Sequence, residues 1–590
     1  MCLSSFRWFR SVSSSDDPHS YIHGVLERGD HGPYRHIQFD LRTLNDAIQK
    51  DAERIARSIE ADVKNAVAGN RDEEVTIQNH LGNVTFKCLV STPHNLSELV
   101  QIIGKAKREN QSVKAIGGFY AFSPVCETTG YAIKTDHLVG TSPTPAATLK
   151  DPARAEGLYD VLCGTSLQKV VEVLEKDGRA LLNLGGFAGQ SSIGATATGT
   201  HGSGLTVPPL ASMILGINLI SGQFDTSSGL PVQYRIEPTN GITNPKSHPP
   251  SWVLIQDDRE FNAAMTGLGA MGVIYSTTIT TVPFYWVREL REMVDWPTAK
   301  GLLEQGAQGD ILKYHNAEVW INPYTSKVLL TRREKLTTPP AGELAGPNSH
   351  MFTAITKDLS ALHAVVDHIF SDPVIDLEGL LGIILALLLR LFPLLLPAAL
   401  DLALQTQDHV QPKVAKYYDI YEIGLADNFP AISTEISYPM TSYLSAADAT
   451  ISLLQKLRKQ DIHQAVVSPV SLRFTASTPA NLSMSYSTNP SQSSGRCYLE
   501  LPSLFYFYKS VQVYDAISKP HTEESVNMYQ GRMHWGQYIT PSFTTLQYQP
   551  HDPEFYASIT SFKEVAEKFD PGHMMANAFL RKVIWLETGN

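Results

Sequence analysis

The chain has 590 residues, 43% of them apolar and 18% charged, and its 48 basic and 59 acidic side chains give a net charge of −11. That length is too great for one hydrophobic core and predicts two to four domains, while the composition excludes a disordered or fibrous chain. The acidic balance, with no cluster of basic residues, excludes nucleic acid as a partner.

The opening residues MCLSSFRWFRSVSSSDD combine two arginines with serines but lack the apolar stretch of a secretory signal. Cys2, Cys88, Cys126, Cys163 and Cys497 are widely spaced with no Cys-x-x-Cys pair, so they read as a reduced set and no metal site is expected. The expectation is an intracellular protein, cytoplasmic or peripherally membrane-associated. A mitochondrial presequence is the alternative, opposed by Asp16 and Asp17.

Residues 1 to about 40 show no periodicity and form an extension. Thr43, with Asp46 three positions on, resembles a capping box, and Leu44, Ile48, Ile55, Ile59, Val63 and Val67 recur on one face until Gly69-Asn70. One long amphipathic helix is predicted there. NVTFKCLV is a strand, Asn95 caps a helix from Leu96 to Glu109 with Glu98 in its first turn, and SVKAIG is the next strand. It runs into GGFYAFSPV, where Gly117 and Gly118 allow a sharp turn and the close approach of a ligand.

Further on, GLYDVLCG is a strand and SLQKVVEVLEKDG a helix ended by Gly178. RALLNLGGFAGQSSIGATATGTHGSG is a long loop of small residues in which Ile193, Ala195 and Ala197 have buried-strand spacing. FNAAMTGLGAMGVIYSTTITTVPF reads as a short helix, a turn at Gly267, Gly269 and Gly272, and a β-branched strand closed by Pro283. From about 286 to 525 the pattern is irregular α+β, with strands AEVWINPY, KVLLTRR and SPVSLRFTAS. Within it, the 22 residues GLLGIILALLLRLFPLLLPAAL from Gly379 to Leu400 approach the ~20 that span a bilayer. Arg390, Pro393 and Pro397 oppose a spanning helix. A buried or cap-domain helix and a monotopic patch are the other readings. RMHWGQY and then one helix, SITSFKEVAEKFDPGHMMANAFLRKVIW, complete the chain.

The chemistry concentrates in the small-residue stretch from 185 to 204. Bare backbone amides with hydroxyls between them suit a pyrophosphate, because small side chains expose the N–H donors that neutralise anionic oxygens. On composition alone this indicates a phosphate-bearing ligand, with a flexible linker as the alternative.

The order of IGGFYAFSP, NLGGFAGQSSIGATATGTHGSG, GLGAMGVI, HWGQ and FDPGHMMANAFL resembles the vanillyl-alcohol-oxidase flavoprotein superfamily, with its PCMH-type FAD domain. Within it the sequence is most similar to the sugar-1,4-lactone oxidases and alditol oxidase. The resemblance implies an α+β fold: an extension and helix over 1–78, a two-subdomain FAD-binding domain over 79–285, an α+β cap over 286–525, and a segment over 526–590 that returns to the FAD domain.

By the same resemblance, FAD contacts fall on Gly117, Gly118, Phe119, Tyr120, Ala121, Phe122 and Ser123. They continue on Gly185, Gln190, Ser191, Gly194, Ala195, Thr198, Gly199, Thr200, His201, Gly202, Ser203 and Gly204, and end on Gly272, Val273 and Ile274. His201, in the Thr-Gly-Thr-His-Gly core, is expected on the pyrophosphate side as a satisfied histidine rather than a base.

Two departures stand out. Most sugar-lactone oxidases read Gly-Gly-His-Ser at the first turn, and that histidine bonds to the flavin; Tyr120 occupies its place here, which implies noncovalent FAD. Family members also carry a Glu-x-Arg pair and a His-Trp-x-Lys motif, whereas this chain has Ser471 before Arg473 and Gln537 after His534. Replacing two charged groups by neutral ones points to a less polar substrate, held by Ser471, Arg473 and Gln537.

The expected reaction is removal of a hydride from a substrate C–H held about 3 to 3.5 Å from the flavin. Arg473 would stabilise negative charge, Gln537 and Tyr120 would shape the site, and His534 is either the base or an orienting partner. The partners are a small molecule, oxygen or another electron acceptor, and a membrane surface touched through 379–400. Sugar-lactone oxidation and a non-redox cyclisation or binding role are the alternatives.

Overall fold

The computed structural model describes residues 74–338, 385–421, 430–489 and 495–587. The amphipathic helix expected from Thr43 lies outside the described residues. Among them, three main β-sheets carry the architecture, and helices cover their apolar faces, so the α+β expectation holds.

A four-stranded sheet runs in the order Glu74–Gln78, Thr85–Ser91, Tyr131–Lys134 and Val113–Ile116. The helix Leu96–Arg108 connects its parallel strands. The Asn95 side chain accepts the Glu98 N–H at 3.0 Å, and Leu99, Val100, Ile103 and Ala106 bury the apolar stripe that the spacing predicts.

The second sheet orders Val253–Gln256, Pro231–Glu237, Ile214–Phe224, Gly272–Thr280, Leu158–Leu162 and Thr141–Pro143. Beside it, the helix Leu167–Lys176 is capped by Ser166 and followed by Gly178 at φ +66°. The small-residue stretch departs from its strand-spaced expectation, because Ser192–Thr198 is a short helix. Ser191 caps its start, and Gly199 at φ +89° ends it in the left-handed conformation. Alternation at 193, 195 and 197 in a run this short fits either period, and the two caps decide it.

The third sheet is built mostly from the range 286–525, where a cap is expected. Its order is His409–Lys416, Trp286–Asp295, Lys327–Leu336, Asn316–Ile321, Val470–Thr475, Arg496–Leu504, Ala431–Pro439 and Arg532–Met533. The last strand pairs Met533 with Ile436. Ser203 and Gly204 fasten the small-residue stretch to this sheet. The Asn316 amide donates to Ser203 O at 2.8 Å, the Ser203 hydroxyl to Ala317 O, and the Gly204 N–H to Phe474 O at 2.7 Å.

The apolar segment folds as two helices, Leu385–Leu391 and Pro393–Gln405, bent by 106° at the Phe392-Pro393 break. Among the described residues no single helix is long and apolar enough to cross a membrane.

The C-terminal segment, expected as one helix, is two. Pro553–Phe569 stops at Asp570, whose carboxylate accepts the N–H groups of Met574 and Met575 at 3.1 and 2.7 Å. Asn577 then caps Ala578–Val583, and its amide donates to the carbonyls of Pro124, Val125 and Glu127. One side chain thus ties the C-terminus to the loop that follows the 117–122 turn. Asn577→Ala should cost about 2–4 kcal/mol, read as a lowered urea midpoint, because a cap and three hydrogen bonds go together. An unchanged midpoint would show that the tie is redundant.

Candidate active site

A cavity of about 560 Å³ lies between the first two sheets and the third. One wall is the turn after Val113–Ile116. There Phe119 holds φ +57°, and the Tyr120 ring packs between His80 at 5.2 Å and Phe187 at 4.7 Å between centroids. A Cβ on Gly117 would stand 1.9 Å from the Ser191 hydroxyl, so only glycine lets the turn and the small-residue helix meet.

Most of the expected FAD positions line this cavity. Ser123, Gly199, Gly202, Ser203, Gly204 and Val273 do not. Ser123 instead donates to Trp535 O, Gly202 packs on Asn183, and Val273 is core. Lys114, which the sequence reading missed, is buried on the wall and donates to Leu268 O, Gly269 O and Met575 O at 2.9, 3.3 and 3.2 Å. Burial holds its ammonium down at about 8. The glycine backbone, the hydroxyls of Ser191, Thr198 and Thr200, and the cavity's size fit a bound dinucleotide.

The opposite wall is one face of the cap sheet, and period-two alternation brings its charges together. Glu318 pairs with Arg473, Ser471 with Glu500, and Glu500 with Glu435 across successive strands. Two carboxylates directly opposed are destabilising unless a cation bridges them. Arg473 does so: its guanidinium donates to Glu500 and lies 3.6 Å from Glu435 Oε1. A second buried network lies alongside, where Arg333 meets Glu289 at 2.7 Å and Glu318 at 2.9 Å, and Arg291 meets Glu289 at 3.1 Å.

This face corrects the expectation that charge had been lost. Ser471 is the small neutral residue, but Glu500, its cross-strand partner, brings a carboxylate to within 3.4 Å of the Ser471 hydroxyl. Gln537 donates to the other Glu500 oxygen at 3.3 Å. The Arg473 Nε and the Gln537 Oε1 are buried without a hydrogen-bond partner, polar atoms left for a ligand. Glu435 and Glu500 were missed at the sequence level, although each is the single acid of its otherwise mostly apolar and hydroxyl-bearing strand.

His201 is satisfied, as expected, but it stands in the charge cluster. Its Nε2 is 3.2 Å from Glu435, its Nδ1 is 2.8 Å from Gly202 O, and its ring stacks on Tyr498 at 3.7 Å. His534 accepts the Gly536 N–H at Nδ1 over 3.1 Å, which places its hydrogen on Nε2, 3.9 Å from Glu435. With its lone pair engaged, the ring orients rather than abstracts. The same tautomer argues against metal binding by His201, Glu435 and His534, whose ligand atoms lie within 4.8 Å of one another.

Burial raises the Glu435 carboxyl, but His201 and Arg473 outweigh it and hold the group at about 2. Burial pushes Glu500 up; Arg473 opposes this and Glu435 reinforces it. Burial drives His534 down to about 4.

The D-arabinono-1,4-lactone oxidase family profile matches residues 278–583. An L-gulono-1,4-lactone dehydrogenase of Mycobacterium tuberculosis is 22% identical over 494 residues, 83% of this chain and 95% of that one. A D-arabinono-1,4-lactone oxidase of Kluyveromyces lactis is 24% identical over 283 residues, 46% of each chain. The fold is similar to cholesterol oxidase from Brevibacterium sterolicum, with a TM-score of 0.64 at 14% identity, covering 87% of this chain and 97% of that one.

Because the folded-state value of His534 lies below the ordinary 6.5, its contribution is complete above pH 6.5 and is lost as pH falls toward about 4. His534→Gln should remove about 3 kcal/mol of that acid loss, seen as a flatter melting temperature between pH 6.5 and 4. An unchanged acid slope would place the loss elsewhere.

Proposed function

This chain belongs to the D-arabinono-1,4-lactone oxidase family and is an FAD-dependent oxidoreductase; we propose that it oxidises a CH–OH group on a small amphiphilic molecule. The observation that carries this reading is the Arg473 cluster, set on the cap face of the cavity with the 117–122 turn on the other wall. FAD, when bound, supplies the two-electron acceptor. Arg473 stabilises negative charge developing on the substrate oxygen, in a site where few waters compete. Gln537 and Ser471 orient the hydroxyl, and Tyr120 shapes the space beside it.

The substrate is amphiphilic because the cavity has two characters. The sheet face is charged, whereas Leu385, Leu389, Leu400 and Leu404 of the bent helix pair, with Trp320 and Leu329, form an apolar arm. A sugar lactone is the second reading, favoured by the Arg473–Glu500 pair and by the names of the relatives. FAD is noncovalent, since Tyr120 stands where the resembled enzymes carry the tethering histidine. Oxygen or another acceptor reoxidises the flavin.

The outer side of the same helices exposes Leu388, Leu391, Leu394, Leu395 and Leu402, with Leu394 at 75% and Leu395 at 50% exposure. This patch rests on a membrane surface, so that an apolar substrate enters from the lipid, and the protein is intracellular with part of its population membrane-bound.

Anaerobic mixing with L-gulono-1,4-lactone, D-arabinono-1,4-lactone and farnesol should bleach the flavin with at least one of them; bleaching by none would overturn the reading. Arg473→Met should lower kcat/KM about 10²- to 10³-fold while FAD stays bound, and an unchanged value would remove Arg473 from the chemistry. Acid precipitation should leave the yellow colour in the supernatant; colour in the pellet would mean a covalent flavin. Leu394→Asp with Leu395→Asp should abolish co-sedimentation with phosphatidylcholine–phosphatidylserine vesicles without altering the flavin spectrum. Retained co-sedimentation would contradict the membrane patch.

A further inference from the structure

Four groups near Arg473 could take a proton from a substrate hydroxyl. Glu318 is excluded because Arg333, at 2.9 Å, and Arg473 outweigh its burial and hold its carboxyl below the ordinary range, which makes it the weaker base. His534 is excluded by its tautomer, since the Gly536 N–H occupies the nitrogen that would act. Glu435 is almost closed off, with 2% of its side chain exposed, and it lies against His201, Arg473 and, more distantly, His534. Glu500 differs from these. All of them line the cavity, but the Glu500 side chain keeps 12% exposure against 2% for Glu435, and its two oxygens meet Arg473 and Ser471 on one side and Gln537 on the other.

We propose that Glu500 is the catalytic base of this site, a carboxylate presented from the strand Arg496–Leu504 across from Ser471, where the neighbouring strand carries none. The inference rests on the CH–OH oxidation proposed above. In the step, the substrate C–H bond breaks and its electron pair leaves with the hydrogen, as hydride, for the oxidised flavin. The O–H bond breaks, its proton moves to a Glu500 oxygen, and its electron pair becomes the second bond of the product carbonyl. Charge balances, because the carboxylate is neutralised as the flavin gains one negative charge.

The surroundings suit that role. A carboxylate raised by burial and by a facing acid is a stronger base than an exposed one. Arg473, fixed between Glu500 and Glu435, keeps the group ionised enough to act and then faces the developing oxygen charge. Ser471 is small enough to leave the Glu500 oxygen reachable, and the Gln537 amide holds the other oxygen in place.

The test uses the FAD-loaded enzyme. Glu500→Gln keeps size and hydrogen bonding but cannot accept the proton, so anaerobic flavin reduction by the probe that bleaches the wild type should slow about 10²-fold or more. The exchange Ser471→Glu with Glu500→Ser returns a carboxylate to the same cross-strand site and should recover at least about tenfold of that loss. A second readout needs no substrate. Infrared difference spectra across dithionite reduction of the bound flavin should show a protonated-carboxyl band in the wild type that is missing in Glu500→Gln. Equal reduction rates in wild type and Glu500→Gln, or a band that survives the substitution, would overturn the proposal. If none of the three probes bleaches the wild type, the CH–OH reading itself fails, and the infrared band still decides whether Glu500 takes the proton.

Discussion

The cap sheet closes with a guanidinium lying between two acids that face each other. Glu435 and Glu500 are paired across adjacent strands, the sixth and seventh of an eight-stranded sheet, and the alternation that buries the apolar partners on one side puts both carboxylates on the other. Without Arg473 on the next strand, two like charges would be opposed in a region of low dielectric. Removing one partner from such a buried set costs about 3–5 kcal/mol, mostly because the remaining charge is left uncompensated. The ion cluster is therefore a condition on the fold before it is a device for catalysis.

That condition also determines what the cavity can hold. The strand carrying Arg473 continues through Phe474 to Thr475, where it meets Gly204, so the register of the charged face is tied to the small-residue stretch. The 117–122 turn is held from its own side by the Ser123 bond to Trp535 and by the Phe122 N–H to Gly536 O. His534, Trp535, Gly536 and Gln537 thus serve both walls at once. Movement of either wall would disturb the other, which is why a motif of four residues far along the chain is built into the site. The bent helix pair completes the enclosure and gives it an apolar side.

What was legible in the sequence was mostly local. Asn95 announced its helix, because a cap needs only the residue and the few N–H groups beside it. The glycines of the first turn and the small-residue stretch pointed to a phosphate-bearing ligand for the same reason, and the resemblance to flavoproteins made that ligand FAD. The helix at 192–198 was hidden because a seven-residue run of Ser, Ile, Gly, Ala and Thr carries weak periodicity. The break at Asp570 was hidden because its carboxylate acts on Met574 and Met575 in a turn, and the apolar spacing beyond it continued to look helical. The carboxylate facing Ser471 was out of reach: reading the strand around Arg473 alone suggests that a charge is absent, and Glu500 replaces it from a strand about 30 residues on. Cross-strand partners follow from register, which depends on the whole sheet.

The central claim is that the two walls enclose one flavin, with its reactive ring at the Arg473 cluster. A crystal structure of the FAD-loaded protein tests it most directly. The account predicts the isoalloxazine between the turn at 117–122 and the side chains of Arg473, Glu500 and Gln537, with the rest of the dinucleotide running toward Gly272 and Ile274. A ring seated away from Arg473, or a cofactor bound outside this cavity, would contradict it.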